Sequence, residues 1–299
     1  MKVAVAFALL LASGCAARSA EVPRGPSVPP GFSIAAIAHI PEPRELAFAP
    51  NGDLFVGTNE ASVYLVRNPE GNADARLFAT IDRGPAAGVA VSGDTLYIGG
   101  EFGIYRMSYR NAIRSAVPQK IAAVRTSGVS SDHVTTSLAI SKSTLYASVG
   151  SSCNACQPEL DPTRATILTL GANGKLTPKA VHIRNAIALV TNANTGTLWA
   201  GVAGADDLPL NHPYEIFDPV GVRPGVADYG WPWCYENRKN APLRQWAGHD
   251  CSKTVIPAVI LPAYETPIGA AFYPRSPRGR YRFPEAYGGG AFLTLHGSW

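Results

Sequence analysis

The side chains able to do chemistry here are five cysteines, six histidines, an Arg-Asn pair and a few loop carboxylates. Cys153 and Cys156 form a CxxC. Gln157 follows where a c-type haem motif needs His, and no second CxxC completes a four-cysteine zinc site. No βαβ pattern surrounds the motif, so the simpler reading is a local disulfide pinning a loop rather than a redox centre. Cys234 and Cys251 are predicted to make a second bridge, worth about 3 kcal/mol in the chain-entropy model. His133, in SDHVTTSLAI, has a side chain whose ordinary pKa of about 6.5 suits proton transfer. The competing reading is a turn histidine bonded to backbone. Arg184, beside Asn185, reads either as a guanidinium that stabilises an anion or as a strand-edge arginine paired with a carboxylate. Asp206 and Asp207 follow Gly204-Ala205; they are open to a role at a hard cation and to one as solvated turn residues. His182, His212 and His249 have no partner spacing that marks a site.

These residues are far apart in sequence, so the elements around them must bring them together. Stacking the chain by its apolar pattern reveals a repeat. LAFAPNGDLFVGT (Leu46 to Thr58), VAVSGDTLYIGG (Val89 to Gly100), LAISKSTLYASVG (Leu138 to Gly150) and ALVTNANTGTLWAGV (Ala188 to Val202) are four copies of one hairpin. Each is a short alternating strand, a polar turn, then Leu-aromatic and a second strand. A divergent fifth copy is GAAFYP followed by GGAFLTLHG (Gly269 to Gly297). Leu54, Leu96, Leu145 and Leu198 recur at spacings of 42, 49 and 53 residues. Strand-only repeats of this length predict an all-β chain folded as a β-propeller; a sandwich would not need the same hairpin at near-constant spacing. Segments such as Val63 to Val66 and Gly103 to Met107 supply third strands. A long insertion at about 203–262 is rich in Pro, Gly, Trp and Asp. Its Trp231, Pro232 and Trp233 read as a small core of their own or as a substrate or cofactor wall.

Composition agrees. Charged residues are only 16% of the 299, with 29 Gly and 25 Pro, as short strands with tight turns require. The net charge is +4, but the basic residues are scattered with no run of five, which argues against a nucleic-acid partner. Met1-Lys2 and the apolar run Val3 to Ala12 read as a signal peptide over 1–20, too short to span a bilayer as a mature helix. Cys15 after Ala12-Ser13-Gly14 reads as a lipoprotein attachment site, or the chain is cleaved near Ala16 to Ala20. Either way the chain is exported, to the periplasm or to a lipid anchor at the outer membrane. Without Cys15 four cysteines remain, an even number suited to an oxidising compartment. Residues 21–30 are a Pro-rich tether, and the propeller domain runs over 31–299.

Several stretches resemble the glucose/sorbosone dehydrogenase family, closest to its sorbosone-dehydrogenase-like branch. They are PRELAFAPNGDLFVGT, VGSSCNAC, IRNAIAL, ADYGWPWCYENR, TPIGAAFYP and GGAFLTLHGSW, in family order across residues 31–299. The resemblance implies a six-bladed propeller, of which about five blades are present here. It implies oxidation of a small sugar or aldehyde with pyrroloquinoline quinone (PQQ) and Ca²⁺, the electrons passing to an external acceptor. By position in the motifs, His133 would be the catalytic base, and Arg184 and Asn185 would meet the quinone oxygens. The backbone carbonyls of Gly204 and Ala205, with Asp206 adjacent, would seat Ca²⁺, and His296 would face the pocket. Three departures stand out. Val134-Thr135-Thr136-Ser137 follows His133 where relatives carry an Arg. Arg83 stands where some relatives have Gln. Relatives continue about a hundred residues past HGSW, so the chain is expected to be cut short before its last blade, leaving an N-terminal strand over 32–40 unpaired. These departures sustain two alternatives: a non-catalytic propeller lipoprotein that binds a ligand or partner, and a calcium-dependent lactonase-type hydrolase.

Overall fold

A computed structural model describes residues 25–297 except 111–112, 115–116, 128–132, 157–158, 207, 209–211, 241–247 and 280. The signal stretch 1–20 with Cys15, and Asp207, lie outside the described residues. The chain divides into a unit up to Ala36 and a unit from Ile37 onward. The described part of the first contains a single turn, in which the Phe32 amide donates to the Pro29 carbonyl. No strand forms over residues 32–40, in contrast to the sequence expectation.

From Ile37 onward the chain is a β-propeller. Every repeat seen in the sequence is an antiparallel hairpin, and each forms the two inner strands of a blade. Blade 1 is Pro43–Phe48, Leu54–Thr58, Ser62–Arg67 and Asp74–Thr80. Blade 2 is Gly88–Ser92, Thr95–Gly100, Gly103–Arg110 and Gln119–Ala123. Blade 3 is Thr136–Ser141, Thr144–Val149, Thr166–Leu170 and Leu176–Val181. Blade 4 is Asn185–Asn192, Thr197–Ala203, Glu215–Asp218 and Val259–Leu261. Blade 5 contributes Pro267–Phe272 and Ala291–Leu295. The first strands of successive blades pack side by side from blade 1 to blade 5.

The repeated residues explain the packing. Leu54, Leu96, Leu145 and Leu198 are all buried, each removing roughly 2 kcal/mol worth of apolar surface from water. The aromatic residue after the leucine bridges blades. Phe55 meets Tyr109 of blade 2 edge-on at 4.9 Å, and Trp199 lies 5.5 Å from Phe272 of blade 5. Glu45, on the first strand of blade 1, bonds to the Ser137 hydroxyl and to backbone at Val89 and Leu138, linking three blades. Burial pushes its pKa up to about 8 against those hydrogen bonds, so the carboxyl is neutral at pH 7.

Strand direction alternates within each blade. The loops after second strands and after fourth strands therefore share one face, here called the mouth. His133, Arg184, Gly204 and His296 all lie in or beside such loops. The stretch 203–262 holds two strands of blade 4, so the excursion proper runs from residue 219 to 258. It starts at the opposite face, pairs Ala227–Asp228 in parallel with Ala180–Val181 of blade 3, and arrives at the mouth with Trp231. Fully buried Asp218 anchors its base: it accepts from Arg223 at 2.8 and 3.0 Å, from the Tyr229 hydroxyl at 2.6 Å and from the Ala258 amide at 2.8 Å.

Candidate functional site at the propeller mouth

The mouth is built around the segment that leaves the second strand of blade 3. Gly150 comes first. A Cβ there would lie 2.4 Å from the His133 Cβ and 2.8 Å from the Asn185 Oδ1, so only glycine lets these two side chains lie against the backbone. Ser151 follows, fully buried. Its amide donates to the Arg184 carbonyl at 2.8 Å. Its carbonyl lies 3.0 Å and its Oγ 2.9 Å from the His133 Nδ1. The Ser151 hydroxyl proton is already given to the Cys153 carbonyl at 2.7 Å. Nδ1 therefore faces two acceptors and must carry the ring proton. The lone pair is left on Nε2, which makes no hydrogen bond among the described residues.

His133 is also electrostatically tuned. Burial first, then the charge of Arg184, then those of Arg125 and Arg164 lower its pKa to about 4, against a smaller upward pull from the Ser151 carbonyl. The imidazole is neutral at pH 7. The reading of a turn histidine bonded to backbone is met at Nδ1, and Nε2 is left without a hydrogen bond among the described residues.

Arg125 holds the histidine loop from beneath. It is fully buried and sits in the left-handed backbone region at φ 49°, a conformation that costs about 1–2 kcal/mol. Six hydrogen bonds secure it. Its guanidinium donates to the carbonyls of Glu101, His133 (twice) and Thr135 and to the Thr136 hydroxyl, and its amide donates to Thr163 Oγ1. Burial and the neighbouring Arg164 lower its pKa to about 9, which leaves it charged. Arg83, on the same face, lies 3.6 Å from Glu101.

Arg184 is nearly buried. Its Nη2 donates to Asp206 Oδ2 at 2.7 Å and to Asn154 Oδ1 at 3.0 Å, and its Nε to the Asn154 carbonyl at 3.1 Å. The carboxylate-paired reading of this arginine therefore holds. Asn185 beside it is 9% exposed, yet its amide has no hydrogen bond among the described residues, and its atoms are not sealed from solvent. A buried amide left open in this way suits a bound polar group. Gly204 donates its amide to Glu215 Oε2 at 2.6 Å. Burial lifts the Glu215 pKa to about 7, although the Gly204 amide and Arg184 pull it down. Gly204, Ala205 and Arg184 line one side of a cavity of about 70 Å³, closed on the other by Trp231, Pro232 and Tyr235. Trp231 is thus a wall as well as part of the insertion's core. Trp233 belongs to that core, stacked 4.6 Å from His249.

The fold brings together His133, Arg184 and Asn185, and joins the Gly204–Asp206 loop to them through Arg184. His296 is not brought in: it is exposed, and its Nδ1 faces only the Gly297 carbonyl at 3.2 Å. Ser151, Asn154, Arg125, Arg164 and Glu215 were missed in the sequence. Glu215 alone carried a signal, as an acidic residue heading a strand.

The residues fit an anionic quinone. An arginine, an open amide and an open imidazole nitrogen lie together, with two more buried arginines whose field His133 registers. Side-chain ligands for Ca²⁺ are few, which leaves the Gly204 and Ala205 carbonyls as the expected seat. Asp206 gives its carboxylate to Arg184 and its carbonyl to Asn154, and no group of three His, Cys, Asp or Glu side chains gathers among the described residues. Both expected disulfides, Cys153–Cys156 and Cys234–Cys251, are formed.

A family model described as TrAA12-like matches residues 26–299. Solved structures share the fold. The PQQ domain of pyranose dehydrogenase from Coprinopsis cinerea, in its holo form, is 16% identical, with TM-score 0.66 over 78% of this chain and 68% of that one. A Trichoderma reesei enzyme of carbohydrate-active family AA12 is 20% identical, with TM-score 0.60 over 78% and 70%. PQQ-bound aldose sugar dehydrogenase from Streptomyces coelicolor is 19% identical, with TM-score 0.61 over 80% and 74%. No curated protein sequence matches this chain significantly.

Proposed function

The chain belongs to the TrAA12-like family, and from that premise we propose that it is an exported oxidoreductase that oxidises a small sugar or aldehyde with PQQ. The solved relatives described as PQQ-bound or PQQ-domain sugar dehydrogenases support the cofactor and substrate class. Two disulfides support export, with Cys15 as the proposed lipid site and 31–299 as the catalytic domain.

One observation carries the reading. His133 Nε2, deprotonated and without a hydrogen bond among the described residues, lies with the Asn185 amide, likewise unbonded among them, and the buried Arg184 guanidinium. PQQ, when bound, supplies the electrophilic quinone carbon that accepts a hydride. Nε2 takes the proton from the hydroxyl of the sugar or hydrated aldehyde, while Nδ1–H stays on the Ser151 carbonyl and keeps the ring oriented. Arg184 and Asn185 stabilise the negative charge that develops on the cofactor's oxygens. An anion held at Arg184 also offsets the charge that lowers the His133 pKa, so cofactor binding makes Nε2 a stronger base.

The test is reconstitution with PQQ, with and without Ca²⁺, following dye reduction on a panel of aldoses and aldehydes. Substrate-dependent reduction that disappears in His133→Ala is expected; none with any substrate sinks the reading. Because Asp206 closes on Arg184, a Ca²⁺ requirement that survives Asp206→Asn would assign the metal to the Gly204 and Ala205 carbonyls. A second reading, a ligand-binding propeller without catalysis, draws on that same Asp206 pairing. Equilibrium dialysis separates them, since it requires a folded chain that does not retain PQQ.

A further inference from the structure

The CxxC is left without a role by the proposed chemistry, yet the loop it closes bonds to Arg184, Asp206 and Trp231 at the mouth. Asn154 sits between the bonded Cys153 and Cys156. Its main-chain and side-chain oxygens both receive the Arg184 guanidinium, through Nε at 3.1 Å and Nη2 at 3.0 Å. Its Oδ1 also accepts the Asp206 amide at 2.7 Å, and its Nδ2 donates to the Asp206 carbonyl at 2.9 Å. Its carbonyl further accepts the Trp231 indole N–H at 3.0 Å. One residue thereby ties blade 3 to the first strand of blade 4, to the Gly204–Asp206 loop and to the insertion.

These partners settle the amide orientation. Swapping oxygen and nitrogen would set a donor against the Arg184 and Asp206 N–H groups and an acceptor against the Asp206 carbonyl. They also explain the residue type. The place needs an acceptor and a donor on a short planar side chain. Asp lacks the donor, Leu lacks both, and Gln is one methylene too long. The loop has no ladder to hold it, so the disulfide bracketing Asn154 supplies the constraint that regular structure does not.

We infer that Asn154 is a positioning residue: clamped by the Cys153–Cys156 bridge, it sets the direction of the Arg184 guanidinium and locks the Asp206 loop against it. The catalytic consequence rests on the proposed sugar oxidation; the structural consequence does not. In cofactor-free full-length protein, Asn154→Ala speeds hydrogen exchange of the Asp206 amide by about tenfold, while amides of the blade 3 strands keep their protection. Asn154→Asp retains the acceptor and restores most of that protection. In protein loaded with PQQ, Asn154→Ala lowers kcat by about 100-fold with little change in KM for sugar, the signature of a displaced reacting group. The Cys153→Ser, Cys156→Ser double variant reproduces the Asp206 exchange change. Unaltered Asp206 exchange in Asn154→Ala overturns the inference, as does full kcat in that variant when Arg184→Ala is inactive. If wild-type protein oxidises no sugar, the enzymatic reading fails and the exchange arm still decides this one.

Discussion

Blade 4 carries two buried arginine–aspartate pairs at its opposite ends, and they differ in a way that separates structure from function. At the base, Asp218 is wholly inside and all its acceptor capacity is spent, on Arg223, the Tyr229 hydroxyl and the Ala258 amide. At the mouth the buried member is instead Arg184, and Asp206 is 32% exposed in its side chain, much as Arg223 is at the base, at 29%, so the difference lies in the groups around each pair. Around that pair lie the Asn185 amide and the Nε2 of a neutral His133, neither hydrogen-bonded among the described residues, the histidine's pKa held down by burial and by Arg184, Arg125 and Arg164. The base pair closes a loop excursion onto the sheet. The mouth pair holds a charge in place beside polar groups that the proposed function assigns to a ligand. Identical residue chemistry thus has opposite meanings, decided by whether neighbouring polar groups are satisfied.

Mutations that exchange the two outcomes would break this comparison. The largest effect is expected at the mouth. His133→Ala should reduce kcat about 1000-fold, with thermal stability nearly unchanged; a comparable rate loss from Asp218→Asn would erase the distinction. At the base, Asp218→Ala should lower unfolding free energy by about 3–5 kcal/mol in urea denaturation, because Arg223 and the Tyr229 hydroxyl lose their partner. PQQ binding per folded molecule should stay as in wild type. Removing the Cys234–Cys251 bridge, which closes the insertion between these two ends, should cost about 3 kcal/mol. A rate loss larger than the loss of folded protein would show that the insertion also orders the cavity wall at Trp231.

The smallest effect is on pH dependence, and it has two opposed parts. His133 titrates near 4 when folded and at about 6.5 when unfolded. Between those values the unfolded chain binds a proton that the folded one refuses, so stability falls as pH drops through this window. Glu215 titrates near 7 and Glu45 near 8 when folded, each against an ordinary 4.5 and each acting in the same direction. There the folded chain keeps a proton the unfolded one has lost, so stability falls as pH rises from 4.5 towards those values. His133→Gln should flatten the acid side and Glu215→Gln the neutral side, read from urea midpoints between pH 4 and 8. A steeper slope after either change would contradict the assigned protonation states.

The open sheet faces sharpen the same contrast. The first strand of blade 3, flanked by neighbours on both sides, is almost entirely buried, whereas Leu46 and Phe48 of blade 1 and Phe292 and Leu295 of blade 5 are exposed. The site is assembled on the doubly flanked blades, where a charge can be desolvated and a loop held still.

Much of this architecture was legible beforehand, and for local reasons. Hairpin strands alternate with period two, so LAISKSTLYASVG declares its register, its turn and its buried leucine without reference to distant residues. The cysteine pairing was legible because Cys153 and Cys156 stand close enough in sequence to bridge locally, which leaves Cys234 for Cys251. Family motifs singled out His133, Arg184 and Asn185, whose places follow from strand ends. Arg125 was invisible, being one arginine among many until its five partner residues converge. Asn154 was hidden inside a motif read for its cysteines, and the surroundings of His296 were not legible because position at a strand end says nothing of what stands opposite.

The one-dimensional pattern therefore determined the blades, their order and the face on which second strands end, since nearest-neighbour pairing and burial settle those. Which mouth groups are satisfied and which stay open depended on loops from different blades meeting across the axis. Such contacts join residues 20 to 80 positions apart, as Arg184 and Trp231 both do at Asn154. Hydrogen-bond satisfaction is a property of that meeting, and no stretch of sequence contains it.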